Sequence, residues 1–129
     1  MIKKYCALIT VLVVLFSLSV DSLAVTVSPG GTGYTSKQYL GATHTQYYCC
    51  LNSVKFTNQG QDYIPSGYYV YARIRNEIGN PVGDLAGFSA TGSGYHYNYW
   101  SGSGNPGWYK LATNSNYGYG YTASFNWHP

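Results

Sequence analysis

Tyr117-Gly118-Tyr119-Gly120-Tyr121-Thr122-Ala123-Ser124-Phe125-Asn126-Trp127 alternates aromatic or small apolar residues with glycine or polar ones. A period of two is the signature of an extended strand, because successive side chains leave a strand on opposite faces. The pattern places Tyr117, Tyr119, Tyr121, Ala123, Phe125 and Trp127 on a core face. Gly118, Gly120, Thr122, Ser124 and Asn126 fall on the other. Tyrosines alternating with glycines are a common way to fill a twisted sheet, so this run predicts the closing strand of an all-β domain.

Upstream, the same period recurs. Tyr68, Val70, Ala72 and Ile74 share one face of a strand, while Tyr69, Tyr71, Arg73 and Arg75 share the other, which reads as one face in the core and one in water. Strands are also expected over Thr43–Leu51, over Ser53–Thr57 ahead of a turn at Asn58-Gln59-Gly60, over Val82–Ala90 weakened by Gly83 and Gly87, and over Trp108–Thr113. Asn76–Pro81 and Asn114-Ser115-Asn116 carry turn chemistry. Thr91–Gly107 reads as a loop or long hairpin, although the alternation of Tyr95, Tyr97 and Tyr99 with His96 and Asn98 equally suits an ordinary strand. No stretch after the leader shows apolar residues at helical spacing. About six short strands with turns roughly every ten residues predict a small antiparallel β-sandwich, with a small β-barrel as second choice.

The first residues have a different character. Lys3 and Lys4 precede an apolar stretch from Ala7 to Val20, and Ser22 and Ala24 flank Leu23. This is the three-part pattern of a cleavable export signal, and its apolar run is shorter than the ~20 residues of a spanning helix. Residues 1–24 are therefore expected to be a signal peptide, 25–36 a flexible or edge-pairing lead-in rich in Ser, Pro, Gly and Thr, and 37–129 a single β-sandwich domain. The expected localisation is secreted and extracellular, with no integral membrane span once the leader is gone.

Charge is sparse beyond the leader: Lys37, Lys55, Arg73, Arg75 and Lys110 stand against Asp62, Glu77 and Asp84. A nucleic-acid binder needs a basic cluster to neutralise several phosphates, and only Arg73 and Arg75 sit together. Cys49 and Cys50 are neighbours and make no disulfide framework. Alternation predicts one sulfur buried and the other exposed, with the pair unlinked, bonded to each other or bridged between molecules. No second cysteine pair or histidine lies at metal-ligand spacing, so neither metal nor cofactor is expected.

Catalysis needs a nucleophile with its base, or two facing carboxyls. The three acids sit in or beside turns, and His44 stands five residues before Cys49, on the opposite face of a strand. The chain is read as non-enzymatic. What it has in surplus is rings: of its 16 tyrosines, all but Tyr5 follow the leader, more than a sandwich of this size can hide. Tyr95, Tyr97, Tyr99, Trp100 and Trp108, set among Gly, Ser and Asn, have the composition of adaptable binding loops. Tyr69, Tyr71, Arg73 and Arg75 form a second, aromatic and cationic strip suited to a glycan, a lipid head group or a phosphate.

Ser53-Val54-Lys55-Phe56-Thr57-Asn58, a Gly/Gln turn, Gly67–Arg75 and a terminal Ala123-Ser124-Phe125-Asn126-Trp127 together resemble the lactococcin 972 family of secreted bacteriocins. The resemblance implies a cleavable leader, a small β-sandwich without disulfides, and extracellular action on cell-wall synthesis through a lipid-linked precursor. It covers under half of the chain after the leader, and this chain carries about fifty residues between the arginine strand and its end where that family has a short link. Asn105–Leu111 is similar to uncharacterised small secreted β-proteins of Gram-positive bacteria. The combined expectation is a protein that binds a cell-wall, glycan or lipid head-group ligand through exposed aromatics, with a bacteriocin-like antimicrobial role as one form of it. The rival expectation, favoured by Tyr/Gly-rich strands and few charges, is a structural extracellular protein that self-associates edge to edge into a layer or fibre.

Overall fold

The computed structural model describes residues 24–60, 62–89 and 97–129. They form nine strands: β1 (Ala24–Val27), β2 (Gly33–Tyr34), β3 (Gln38–Leu40), β4 (His44–Phe56), β5 (Val70–Asn76), β6 (Ala86–Phe88), β7 (Tyr97–Gly104), β8 (Gly107–Ser115) and β9 (Tyr121–His128). All named pairings are antiparallel. Sheet A runs β1-β9-β4-β7, and sheet B runs β2-β8-β5-β6, with β3 also on β8. The two sheets face each other unclosed, so the architecture is the expected β-sandwich and not a barrel. No described helix is long and apolar enough to cross a membrane.

The closing strand behaves as its alternation predicts from Tyr121 to Phe125, while Asn126, expected on the outer face, is buried as well. Tyr121, Ala123, Phe125 and Trp127 are buried and Thr122 is exposed. Tyr117 and Tyr119 belong instead to the turn that leads from β8 in sheet B to β9 in sheet A. The turn is anchored where Gly120 passes under β1: a Cβ there would lie 2.9 Å from the Val27 carbonyl oxygen. The expected turn at Asn114–Asn116 lies later than its residues suggest, because Asn114 and Ser115 still pair with Tyr71 and Val70.

The two strands read separately on either side of Asn52 are one strand, β4. Leu51 pairs with Phe125 and Ser53 with Ser124, so Asn52 is the extra residue of a β-bulge. The bulge explains how Leu51 and Val54 both reach the core across an odd offset. The cysteine expectation is corrected here. Both Cys49 and Cys50 are 0% exposed, and they are not bonded to each other: Cys49 is a free thiol. Alternation assigns faces correctly, but β4 is an inner strand of sheet A between β9 and β7, and burial in such a strand is not limited to the core face.

The stretch read as a lead-in is part of the sandwich. β1 pairs with β9 through Ala24↔Ser124 to Val27↔Tyr121, and β2 pairs with β8. Thr35 then carries the edge of sheet B across the gap to β3. Its N–H donates to the Leu111 carbonyl at 3.0 Å, and its Oγ1 accepts from the Leu111 N–H at 3.1 Å. Of the strand expected over Val82–Ala90 the described residues form only β6, and the expected turn Asn76–Pro81 ends in an isolated bridge from Arg75 to Pro81.

Val27, Phe56, Ile74, Phe88, Leu111, Phe125 and Trp127 are among the side chains that fill the space between the sheets. Two polar links cross that space. Gln38 Nε2 donates to the Trp127 carbonyl at 2.9 Å, and the Thr113 and Tyr121 hydroxyls lie 2.9 Å apart. Burial pushes the Tyr121 phenol up to about 12, against a smaller lowering from the Thr113 hydrogen bond.

Candidate functional site

Pairing register determines which side chains share the outer face of sheet B. Tyr39 stands opposite Trp108, and Arg75 opposite Lys110. Ala112 pairs with Tyr34 on one side and Arg73 on the other, while Tyr71 pairs with Asn114 and Gly87. Residues directly opposite in an antiparallel pair project to one side, and rows two residues apart are separated by about 6.6 Å. These rows, with Tyr69 beyond them, make a continuous strip on the order of 20 Å long. Its inward counterparts Val70, Ala72, Ile74, Tyr109 and Leu111 are buried.

The rings on this strip are open to solvent: Tyr39 is 59% exposed, Tyr34 49%, Trp108 45% and Tyr69 41%. Contacts among neighbours orient them. Tyr39 and Trp108 meet edge to face at 5.2 Å, and Tyr69 stacks on Tyr71 at 5.8 Å. Gly87 lies beneath that stack, where a Cβ would come 3.7 Å from both rings. Lys110 Nζ sits 4.4 Å from the centre of the Tyr34 ring.

The arginines are braced by backbone. Arg73 Nε donates to the Gly83 carbonyl and Arg75 Nη1 to the Gly79 carbonyl, each at 2.8 Å. Gly79, with φ of 96°, ends the turn after β5 in a conformation that suits glycine. Among the described residues, no carboxylate lies within 4 Å of Arg73, Arg75 or Lys110. Glu77 is instead 3.3 Å from Lys37.

Of the residues expected to bind, Trp108, Tyr69, Tyr71, Arg73 and Arg75 are thus brought together on one face. Tyr97, Tyr99 and Trp100 are not with them. They lie on β7, opposite Cys50, Tyr48 and Tyr47, in the other sheet. Tyr95 lies outside the described residues. Of the two forms open to the Gly/Ser/Tyr stretch, its described part takes that of a strand from Tyr97 to Gly104, followed by a passage through Asn105 and Pro106 into sheet B; the Tyr109 hydroxyl donates to the Asn105 carbonyl there at 2.5 Å.

Three residues of the strip were missed. Lys110 had a visible signal, since it follows Trp108 by two and must share its face. Tyr34 sits in the segment read as a lead-in, and Tyr39 in the stretch between it and the first expected strand. The short alternation Gln38-Tyr39-Leu40, buried, exposed, buried, is recognisable only once its pairing with β8 is known.

A second group of rings has a structural role. Tyr117 packs on Phe56 at 4.8 Å, on Tyr68 at 4.6 Å and on Tyr119 at 5.0 Å, and its hydroxyl accepts from Asn58 Nδ2 at 2.7 Å. It plugs the end of the sandwich between two loops. Tyr68 was expected on the core face of its strand, but it precedes β5 and is partly exposed in this cluster.

Asp62 Oδ1 accepts from the Val54 N–H at 2.6 Å and ties the 57–69 loop to β4. Burial raises the Cys49 thiol well above its ordinary value, which disfavours the thiolate a nucleophile needs. His128 stacks on Tyr48 at 6.0 Å. The sequence matches no protein-family model and no curated protein sequence.

Proposed function

We propose that this chain is a secreted, non-enzymatic protein that holds a cell-envelope or glycan-like ligand against the outer face of sheet B. The observation that carries the reading is the row of half-exposed rings Tyr34, Tyr39, Trp108 and Tyr69 on one sheet face. Large exposed apolar patches are uncommon on soluble monomers and mark interaction surfaces. Tyrosine and tryptophan suit such a surface because a flat apolar face carries a polar edge, which matches a sugar ring with its hydroxyls. The leader pattern and the resemblance to secreted bacteriocins favour a bacteriocin-like antimicrobial role for that binding.

The test is a pull-down of the purified protein on isolated peptidoglycan, with growth inhibition read in parallel. Trp108→Ala should weaken retention about tenfold, the usual effect of removing an aromatic anchor. Its melting temperature should hold within a few degrees, since Trp108 is half exposed. Retention equal to the parent protein's would refute the reading. Elution volume that shifts with concentration would instead favour edge-to-edge assembly.

A further inference from the structure

We infer that the ligand of this face is an anionic polysaccharide, an inference that rests on the binding reading above and adds the charge of what is bound. Arg75 and Lys110 are direct cross-strand partners, and Arg73 stands two residues from Arg75 on the same face. Like charges so placed repel one another and destabilise a sheet unless something neutralises them. Among the described residues no carboxylate does so. Glu77 is engaged with Lys37, and Asp84, next to the Gly83 that holds Arg73, makes no ion pair with any of the three cations.

The donors left over point to the same ligand. Arg73 spends only Nε on the protein and Arg75 only Nη1, so the Arg73 fork keeps both terminal nitrogens for an outside acceptor. Guanidinium forks pair with carboxylate or phosphate oxygens in two parallel hydrogen bonds. Rings border the cations within the strip: Tyr34 lies under Lys110, and Tyr71 is two residues from Arg73. A chain of sugar rings bearing acidic groups satisfies both features at once, stacking on the rings and placing its acids at the cations. A bilayer surface fits less well, because the paired rows carry no aliphatic side chain larger than Ala112 and the exposed Leu85 stands alone at their edge, just before β6.

The experiment measures binding of the full-length protein to polygalacturonate, to neutral dextran and to phosphatidylglycerol vesicles, at about 50 mM and about 500 mM salt. Polygalacturonate should bind more tightly than dextran and lose most of that advantage at high salt, where screening acts within a few ångströms. Lys110→Glu should cost about tenfold in polygalacturonate affinity, and Arg73→Gln about fivefold, each a larger loss than the same variant shows for dextran. An unchanged far-UV spectrum and a melting temperature within a few degrees of the parent check that each variant is folded. Equal binding of both polymers, unaffected by Lys110→Glu, overturns the inference while leaving the aromatic reading intact. Preference for the vesicles overturns it in favour of a lipid surface. Binding to none of the three overturns both.

Discussion

Replacing Tyr121 by phenylalanine removes one oxygen from the interface between the sheets and leaves the ring in place. In the parent protein that oxygen lies 2.9 Å from the Thr113 hydroxyl, and both side chains are almost fully buried. Thr113 would keep a buried hydroxyl without its partner, which costs about 1–2 kcal/mol near neutral pH. The alkaline behaviour is the sharper readout. The folded phenol titrates at about 12 instead of 10, so the folded state holds its proton more tightly than the unfolded state does. The corresponding stability is fully present below pH ~10 and is lost as pH climbs to about 12, by ~1.4 kcal/mol at pH 11 and ~2 kcal/mol at pH 12. Tyr121→Phe removes this loss. The raised Cys49 thiol contributes a further alkaline loss, but to both proteins equally. Urea unfolding of the pair from pH 7 to 12 should show the parent ahead at neutral pH and the gap closing or inverting above pH 11. Parallel curves would refute the argument that Tyr121 is desolvated between the sheets.

Gly33→Ala should destabilise by roughly 1–3 kcal/mol, because its Cβ would fall 2.6 Å from Val25 Cγ1 and 2.7 Å from Val27 Cγ2. Gly118→Ala, with nothing within 4 Å, should shift the melting temperature by no more than a few degrees. Asp62→Ala removes the acceptor of the Val54 N–H; it should cost about 1–2 kcal/mol and speed proteolytic cutting within 57–69, read by limited digestion. Cys49 should resist iodoacetamide in the native protein at pH 8 and react once unfolded in guanidinium, as peptide mass spectrometry would show; rapid native labelling would contradict its burial.

Strands with one clean core face could be recognised residue by residue. β5 and the stretch from Tyr121 to Phe125 show their inner and outer faces because each packs one side on the other sheet, and burial then follows the two-residue period; it fails at Asn126, an outer-face residue that is also buried. β4 hid its continuity because the Asn52 bulge breaks that period in the middle. β1, β2 and β3 hid because edge strands this short carry too few alternations to announce themselves, and their pairing with β9 and β8 spans most of the chain. The candidate site divides the same way. Tyr69, Tyr71, Arg73 and Arg75 belong to one strand, so their common face is a local property of the peptide. Adding Tyr34, Tyr39, Trp108 and Lys110 to them requires knowing which strands lie side by side.

By itself the order of residues determined an all-β protein with more rings than its interior holds, since alternation and composition need no partner to be read. Only the tertiary structure decided which rings gather and which cations stand among them. Strand neighbours and register arise from contacts between segments far apart in the chain, and no local pattern encodes them.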